Sequence, residues 1–212
     1  MSEKKYIALT FDDGPSDVTG AVLDKLDRYG IKATFFLIGN NITPEREELV
    51  LREQREGHEI NNHSLTHSDM TTLTGEEVRA EIQATTAIIQ RLTGHTPAFF
   101  RPPYIAVNDI MCKAVPMPFI AGIGANDWMD EVSAEERAQM ITEKAEDGVI
   151  ILLHDAKGNV KTVEALDTII PDLLSRGFEF VTLSSLFEKK GVLPVAGGER
   201  IYSNILKNGR YD

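Results

Sequence analysis

Short runs rich in β-branched and aromatic residues alternate with longer amphipathic segments along most of the chain, and no other feature narrows the fold as far. Residues 6–11, 33–38, 58–61, 98–100, 119–123, 149–153 and 179–181 read as strands. The segments 18–29, 45–56, 75–92, 134–147 and 163–176 read as helices between them. In the third of these, Val78, Ile82, Ile89 and Leu92 fall near helical spacing, with Thr74 placed as a cap and Gly94 just past the end. The fifth carries Val163, Leu166, Ile169, Ile170 and Leu173, and Gly177 follows it. Such alternation requires right-handed crossovers and a parallel sheet buried by helices. Seven strand–helix units predict an α/β fold, a distorted and incomplete (β/α)7 barrel. A flat doubly wound sheet is the alternative, disfavoured because no Gly-x-Gly-x-x-Gly turn follows the first strand.

No repeat, low-complexity tract or Ser/Pro-rich linker divides the sequence, so residues 1–212 read as one domain. Lys and Arg total 22 against 33 Asp and Glu, giving a formal net charge of −11. That sign argues against a nucleic acid or an anionic membrane as partner and leaves a neutral polymer or small molecule. No obligate protein partner is evident. The lone Cys112 excludes an internal disulfide and a zinc-type cysteine pair. The start, Met-Ser-Glu-Lys-Lys-Tyr, has no apolar signal core, so the chain as written reads as cytoplasmic. A secreted chain from which a signal had been removed would look the same.

The reactive side chains choose one edge. Asp12 and Asp13 follow the first strand, His63 and His67 the third, Arg101 the fourth, Asp127 and Trp128 the fifth, and His154 ends the sixth. In a barrel those carboxyl ends share the face where active sites are built. Asp12 and Asp13 precede Gly14-Pro15. On a regular strand the two carboxylates would point apart, whereas a turn brings both to one centre. A plain polar turn would read the same way.

His63-Ser64-Leu65-Thr66-His67 places two imidazoles on one face if a helical turn begins there. With Asp13 they complete a His, His, carboxylate set that leaves coordination positions for water and substrate. Non-haem iron oxygenases use the same ligand types. Asp12 beside the metal supplies a base for bound water, which favours hydrolysis. Arg101, stiffened by Pro102 and Pro103, would keep Asp12 ionised if it lies nearby, or would be a solvated arginine on a rigid loop. An Asp such as Asp127 would fix the tautomer of His154 and raise its pKa, making it a general acid. Trp128 would wall the pocket or stack on a sugar, or lie in the core. His58 and His95 have no such partners and read as structural.

At these residues the chain resembles the polysaccharide deacetylases, carbohydrate esterase family four, also called the NodB-homology family. Thr10-Phe11-Asp12-Asp13-Gly14-Pro15, His63 to His67, Arg101-Pro102-Pro103-Tyr104, Asn126-Asp127-Trp128 and Ile151 to Asp155 are similar to its five motifs, in order. The similarity runs from Lys5 to about Lys190, and the tail to Asn204 resembles particular acetylxylan esterases. The resemblance implies a distorted barrel and metal-dependent deacetylation of a carbohydrate. It implies Asp12 as general base, Asp13, His63 and His67 as metal ligands, and Arg101 paired with Asp12. It further implies the Tyr104 amide at the oxyanion and His154 as acid tuned by Asp127. Trp128, Leu152 and Pro103 would border the substrate, Trp128 and Leu152 at the acetyl methyl. One divalent ion is implied, zinc foremost, with cobalt or nickel as substitutes.

Many amino-sugar deacetylases of that family carry an Asp where this chain has Gly124. The run Gly124-Ala125-Asn126-Asp127-Trp128 is closer to the acetylxylan esterase branch, so an O-acetyl ester, as on xylan, is expected before an N-acetyl amide of chitin oligomers or peptidoglycan. A sugar-binding protein without chemistry and an amidase for a small non-sugar compound are the other readings.

Overall fold

The computed structural model describes residues 4–198 and 200–207. Its elements run β1 (Lys5–Asp12), α1 (Thr19–Tyr29), β2 (Thr34–Leu37), α2 (Glu47–Arg55), β3 (Glu59–Asn62), α3 (Gly75–Thr93), α4 (Asp109–Ala114), β4 (Phe119–Ile120), β5 (Ile123–Gly124), α5 (Ala134–Lys144), β6 (Ile150–His154), α6 (Val160–Ser175), β7 (Phe178–Phe180), α7 (Leu183–Lys190) and β8 (Ile201–Tyr202). The fold is α/β, a parallel sheet with flanking helices. Helix starts follow the local chemistry. Thr74 with Glu77, and Ser133 with Glu136, form capping boxes on α3 and α5.

β1 is the centre of the sheet. The order β3-β2-β1-β6-β5 is parallel throughout, and β7 pairs with the first residues of β1, Lys5 to Ile7. The ring continues through Phe100, which bridges Asn62 and Phe119, then through β4 beside β8, and returns by a bridge from Asn204 to Val149. This is a distorted barrel.

Two expected strands differ. Residues 98–100 contribute only the bridging Phe100, because Pro97, Pro102 and Pro103 flank it and cannot donate to a ladder. The 119–123 run breaks into β4 and β5, which have different partners. Between them the chain presses on β6, so that a Cβ on Gly122 would fall 2.9 Å from the Ile150 carbonyl. β8, α4 and α7 add to the expected elements.

Strand alternation sorts the core. Ile7, Leu9 and Phe11 of β1, with Ile151 and Leu153 of β6, pack outward against α1, α5 and α6. Ala8, Phe36 and Ile150 point inward, where Leu183, Leu186 and Phe187 of α7 join them in one apolar cluster. Glu59, at the start of β3, accepts hydrogen bonds from the Ser184 amide and hydroxyl, so α7 closes the amino end of the barrel. The opposite end stays open. No helix among the described residues is long and apolar enough to cross a membrane.

Candidate active site

Asp12 and His154 end β1 and β6 and are partners in the register. The pleat that sends Phe11 and Leu153 into the outer core therefore turns Asp12 and His154 inward, above Thr10 and Leu152. Asp13 leaves the strand with φ 73°. This left-handed step lets its carboxylate share the centre with that of Asp12, so Asp13 itself makes the turn.

Asp13 Oδ1 lies 3.4 Å from the Nε2 atoms of both His63 and His67. All three potential donor atoms sit within 4.8 Å of one another. The fit to a cation rests on two further observations. Asp13 Oδ1 is buried and accepts no hydrogen bond among the described residues. His63 Nδ1 donates to the Arg101 carbonyl at 2.7 Å, which leaves Nε2 with its lone pair toward the centre. Burial, and then the neighbouring His63, hold the His67 pKa below the usual imidazole range, suiting a neutral ligand. Burial pushes the Asp13 carboxyl up, but the imidazoles of His63, His154 and His67 outweigh it and bring the pKa to about 2.

The two histidines do not meet through a helical turn. Ser64 and His67 have φ of 67° and 59°, and the Ser64 hydroxyl accepts from the His67 amide at 3.0 Å. A tight loop replaces the expected helix. Among the described residues, the non-glycine positions with positive φ are Asp13, Ser64, His67, Tyr104, Ile105 and Asn126, all in loops of this site. Each such conformation costs on the order of 1–3 kcal/mol, so their clustering is an independent mark of function.

Arg101 is fully buried inside the barrel rather than solvated. Nη1 donates to Asp12 Oδ1 at 2.6 Å and to the Thr10 hydroxyl at 2.8 Å, and Nη2 donates to the Ala121 carbonyl at 2.6 Å. Its guanidinium carbon sits 4.2 Å from the centre of the Phe36 ring. The pair fixes Asp12 and leaves Oδ2 on the side of the histidines, 3.7 Å from His63 Nε2.

At the end of β6, Asp127 Oδ1 meets His154 Nδ1 at 2.8 Å, while Oδ2 accepts from the His154 amide and the Thr162 hydroxyl, each at 2.8 Å. Burial alone would lower the His154 pKa. The hydrogen bond and charge of Asp127, then the charges of Asp12 and Asp13, overcome it and raise the value to about 9. Nδ1 is engaged, so Nε2 is the nitrogen free to donate a proton.

Asp12, Asp13, His63, His67 and His154 line one cavity of about 530 Å³ with Pro102, Tyr104, Ile105, Trp128 and Leu152. Trp128 is 62% exposed, outside the core, with its ring edge-on to His154 at 5.8 Å. Tyr104 leans on His67 at 4.7 Å between ring centres. Pro103 is not part of the lining. It opens a tight turn over Pro103–Ile105 with its own ring buried, and Pro102 and Ile105 take the place expected for it. Thr10, Phe36 and Thr162 hold the reactive groups from behind. No sequence motif marks Phe36 or Thr162, because a side chain that supports another is chosen by the fold. His58 behaves as a structural residue. It is buried, and its Nδ1 accepts from the Ala33 amide at 3.1 Å.

Several known proteins are similar to this chain. A bifunctional xylanase/deacetylase from Pseudobutyrivibrio xylanivorans is 47% identical over 202 residues, covering 95% of this chain and 33% of that protein. The peptidoglycan-N-acetylglucosamine deacetylase PgdA of Listeria monocytogenes is 40% identical over 192 residues, covering 88% of this chain and 40% of that protein. The chain thus spans well under half the length of these curated relatives. A family 4 acetyl xylan esterase from Clostridium thermocellum, solved in complex with a cobalt ion, superposes with a TM-score of 0.91 at 44% identity, covering 95% of this chain and 99% of that one. A family model described as polysaccharide deacetylase matches residues 1–116, more than half of the sequence, and the chain belongs to that family, carbohydrate esterase family four.

Proposed function

We propose that this chain is a divalent-metal-dependent esterase that removes O-acetyl groups from a carbohydrate, with acetylated xylan or xylo-oligosaccharides as the substrate class. One observation carries the reading: Asp12 and His154, neighbours in the register of β1 and β6, line one cavity together with the Asp13, His63 and His67 triad. A divalent ion held by these three, zinc by our assignment with cobalt or nickel as substitutes, would polarise the acetyl carbonyl and acidify water.

The protein groups then divide the proton transfers. Asp12 Oδ2 accepts the proton of the water that attacks the carbonyl carbon. The backbone N–H of Tyr104 donates to the oxyanion of the tetrahedral intermediate. His154 Nε2 gives its proton to the sugar oxygen as the carbon–oxygen bond breaks, releasing acetate and a free hydroxyl. Leu152 and Trp128 close apolar surface around the methyl group.

The ester preference is supported by Gly124 and by the names of two relatives, one a xylanase/deacetylase and one an acetyl xylan esterase. The second reading is N-deacetylation of N-acetylglucosamine in chitin oligomers or peptidoglycan, supported by the relative that carries that name. Acetate release from acetylated xylan and from N-acetylglucosamine oligomers, with and without a chelator, tests both. We expect chelator-sensitive release from xylan at the higher rate. Release confined to the amino sugar would replace the first reading by the second.

A further inference from the structure

The hydrolytic reaction uses His154 but not its neighbour, Asp155, which is completely buried. A buried carboxyl without a task is costly, and one of its oxygens, Oδ1, has no hydrogen-bond partner among the described residues. Its other atoms are all engaged by one loop. The Asp155 amide donates to the Asp12 carbonyl at 3.1 Å. Its carbonyl accepts from the Ser16 hydroxyl at 2.5 Å, and its Oδ2 accepts from the Thr19 hydroxyl. Thr19 Oγ1 in turn accepts from the Ser16 amide at 2.8 Å. The residue therefore grips the stretch from Asp12 to Thr19 at both ends.

Between those ends the chain lies against the carboxyl itself. A Cβ on Gly14 would fall 2.4 Å from Oδ2, 2.8 Å from Oδ1 and 2.9 Å from Cγ of Asp155. The close approach, not a left-handed backbone, is what requires glycine here. Other elements hold the remaining carbonyls. Asn41 Nδ2 donates to that of Asp13 at 2.7 Å, the Ile38 amide to that of Gly14 at 3.1 Å, and Arg46 Nη1 to that of Pro15 at 3.1 Å. Asp13, with φ 73°, sits inside this clamp, and such a conformation persists only where its surroundings over-determine it.

We infer that Asp155 is a positioning residue that sets the backbone of Asp12 and Asp13, and so the metal affinity and base geometry of the site, from the strand that carries His154. The inference rests on the reading of Asp13 as a metal ligand. Packing alone would be served by any small buried side chain, whereas this one meets the loop through its amide, carbonyl, carboxyl oxygen and surface of contact. Supports of this kind, one shell removed from a metal, change affinity or activity by about 10–100-fold when lost.

The test is a cobalt(II) titration of the folded protein, followed by its visible absorption, together with kcat and KM on acetylated xylan. Asp155→Ala is expected to weaken cobalt binding by about tenfold or more and to lower kcat by a similar factor, with KM little changed. Gly14→Ala should weaken cobalt binding as well. In the double variant, Asp155→Ala removes all three atoms that crowd the new methyl, so the two effects should combine to less than their product. Wild-type cobalt affinity and kcat in Asp155→Ala, with loss confined to the melting temperature, would overturn the inference. Should that variant fail to fold, Thr19→Val removes the hydroxyl tether and keeps the acid; unchanged cobalt affinity there overturns the inference equally. Wild-type protein that binds no cobalt would instead defeat the reading of Asp13, a separate result.

Discussion

Asp12 and His154 occupy the last paired positions of two adjacent parallel strands, one carboxylate and one imidazole facing the same opening. Each is held by a different buried partner, Asp12 by Arg101 at 2.6 Å and His154 by Asp127 at 2.8 Å. The base and the acid of a hydrolytic reaction are thereby oriented independently, and each can be altered without moving the other.

Replacing His154 by Ala should remove the acid while leaving the triad in place. A positioned acid contributes on the order of 10²–10⁴ in rate, so kcat should fall by about that range while the bound metal content stays near one per chain. Unchanged turnover in the variant would take His154 out of the reaction.

Asp127→Asn should change the pH profile rather than merely the rate. His154 acts in its protonated form, which is lost as pH rises through its pKa of about 9. Without the charge of Asp127, burial is less opposed and the pKa drops. The alkaline limb of the kcat profile is therefore expected to move to lower pH, and a limb that stays in place would contradict the assignment.

His67→Ala should weaken metal binding and lower activity together, with activity rising again at high metal concentration. Its ring nitrogens make no hydrogen bond among the described residues that the fold depends on, so thermal stability of the metal-free protein should change little. Full activity in rigorously metal-free buffer would refute the metal requirement for wild-type and variant alike.

Arg101→Met leaves the carboxylate of Asp12 buried without its partner. Breaking a buried pair in this way costs about 3–5 kcal/mol, far more than the median for exposed pairs. Urea unfolding should show that loss along with loss of turnover. A stability within about 1 kcal/mol of wild type would mean that water reaches Asp12 more freely than its burial indicates.

Gly124→Asp tests the basis of substrate choice. A Cβ at Gly124 meets only the Leu152 carbonyl, at 3.9 Å, and its φ lies outside the left-handed region, so a side chain fits. The ratio of N- to O-deacetylation is expected to rise relative to wild type, measured as acetate release from the two substrate classes. An unaltered ratio would detach Gly124 from the ester preference.

The sequence placed the reactive groups on one edge because strand ends are legible. Apolar runs mark β1 and β6, and the residues just past each run must sit at its carboxyl end. It did not foresee how His63 and His67 converge, since Ser64 and His67 adopt left-handed backbones that no residue type there announces. Nor could it put Arg101 inside the barrel. A buried guanidinium is acceptable only through contacts with Thr10, Asp12, Ala121 and Phe36, which lie far apart in the chain. β8 escaped notice because two residues carry no periodicity, and Phe100 alone stands where a strand was expected because prolines surround it.

The central position of β1 has a consequence for how this domain comes into being. Synthesised before the other strands, β1 finds β2 soon afterward, but its other partners, β6 and β7, are separated from it by most of the polypeptide. Until they emerge, an apolar strand has an open edge, and the ring is completed only when β8 reaches its place between β4 and the start of β6. Nascent chains should therefore dwell in an open-edged state that helper proteins can recognise, and productive closure should come late, once β8 has left the ribosome.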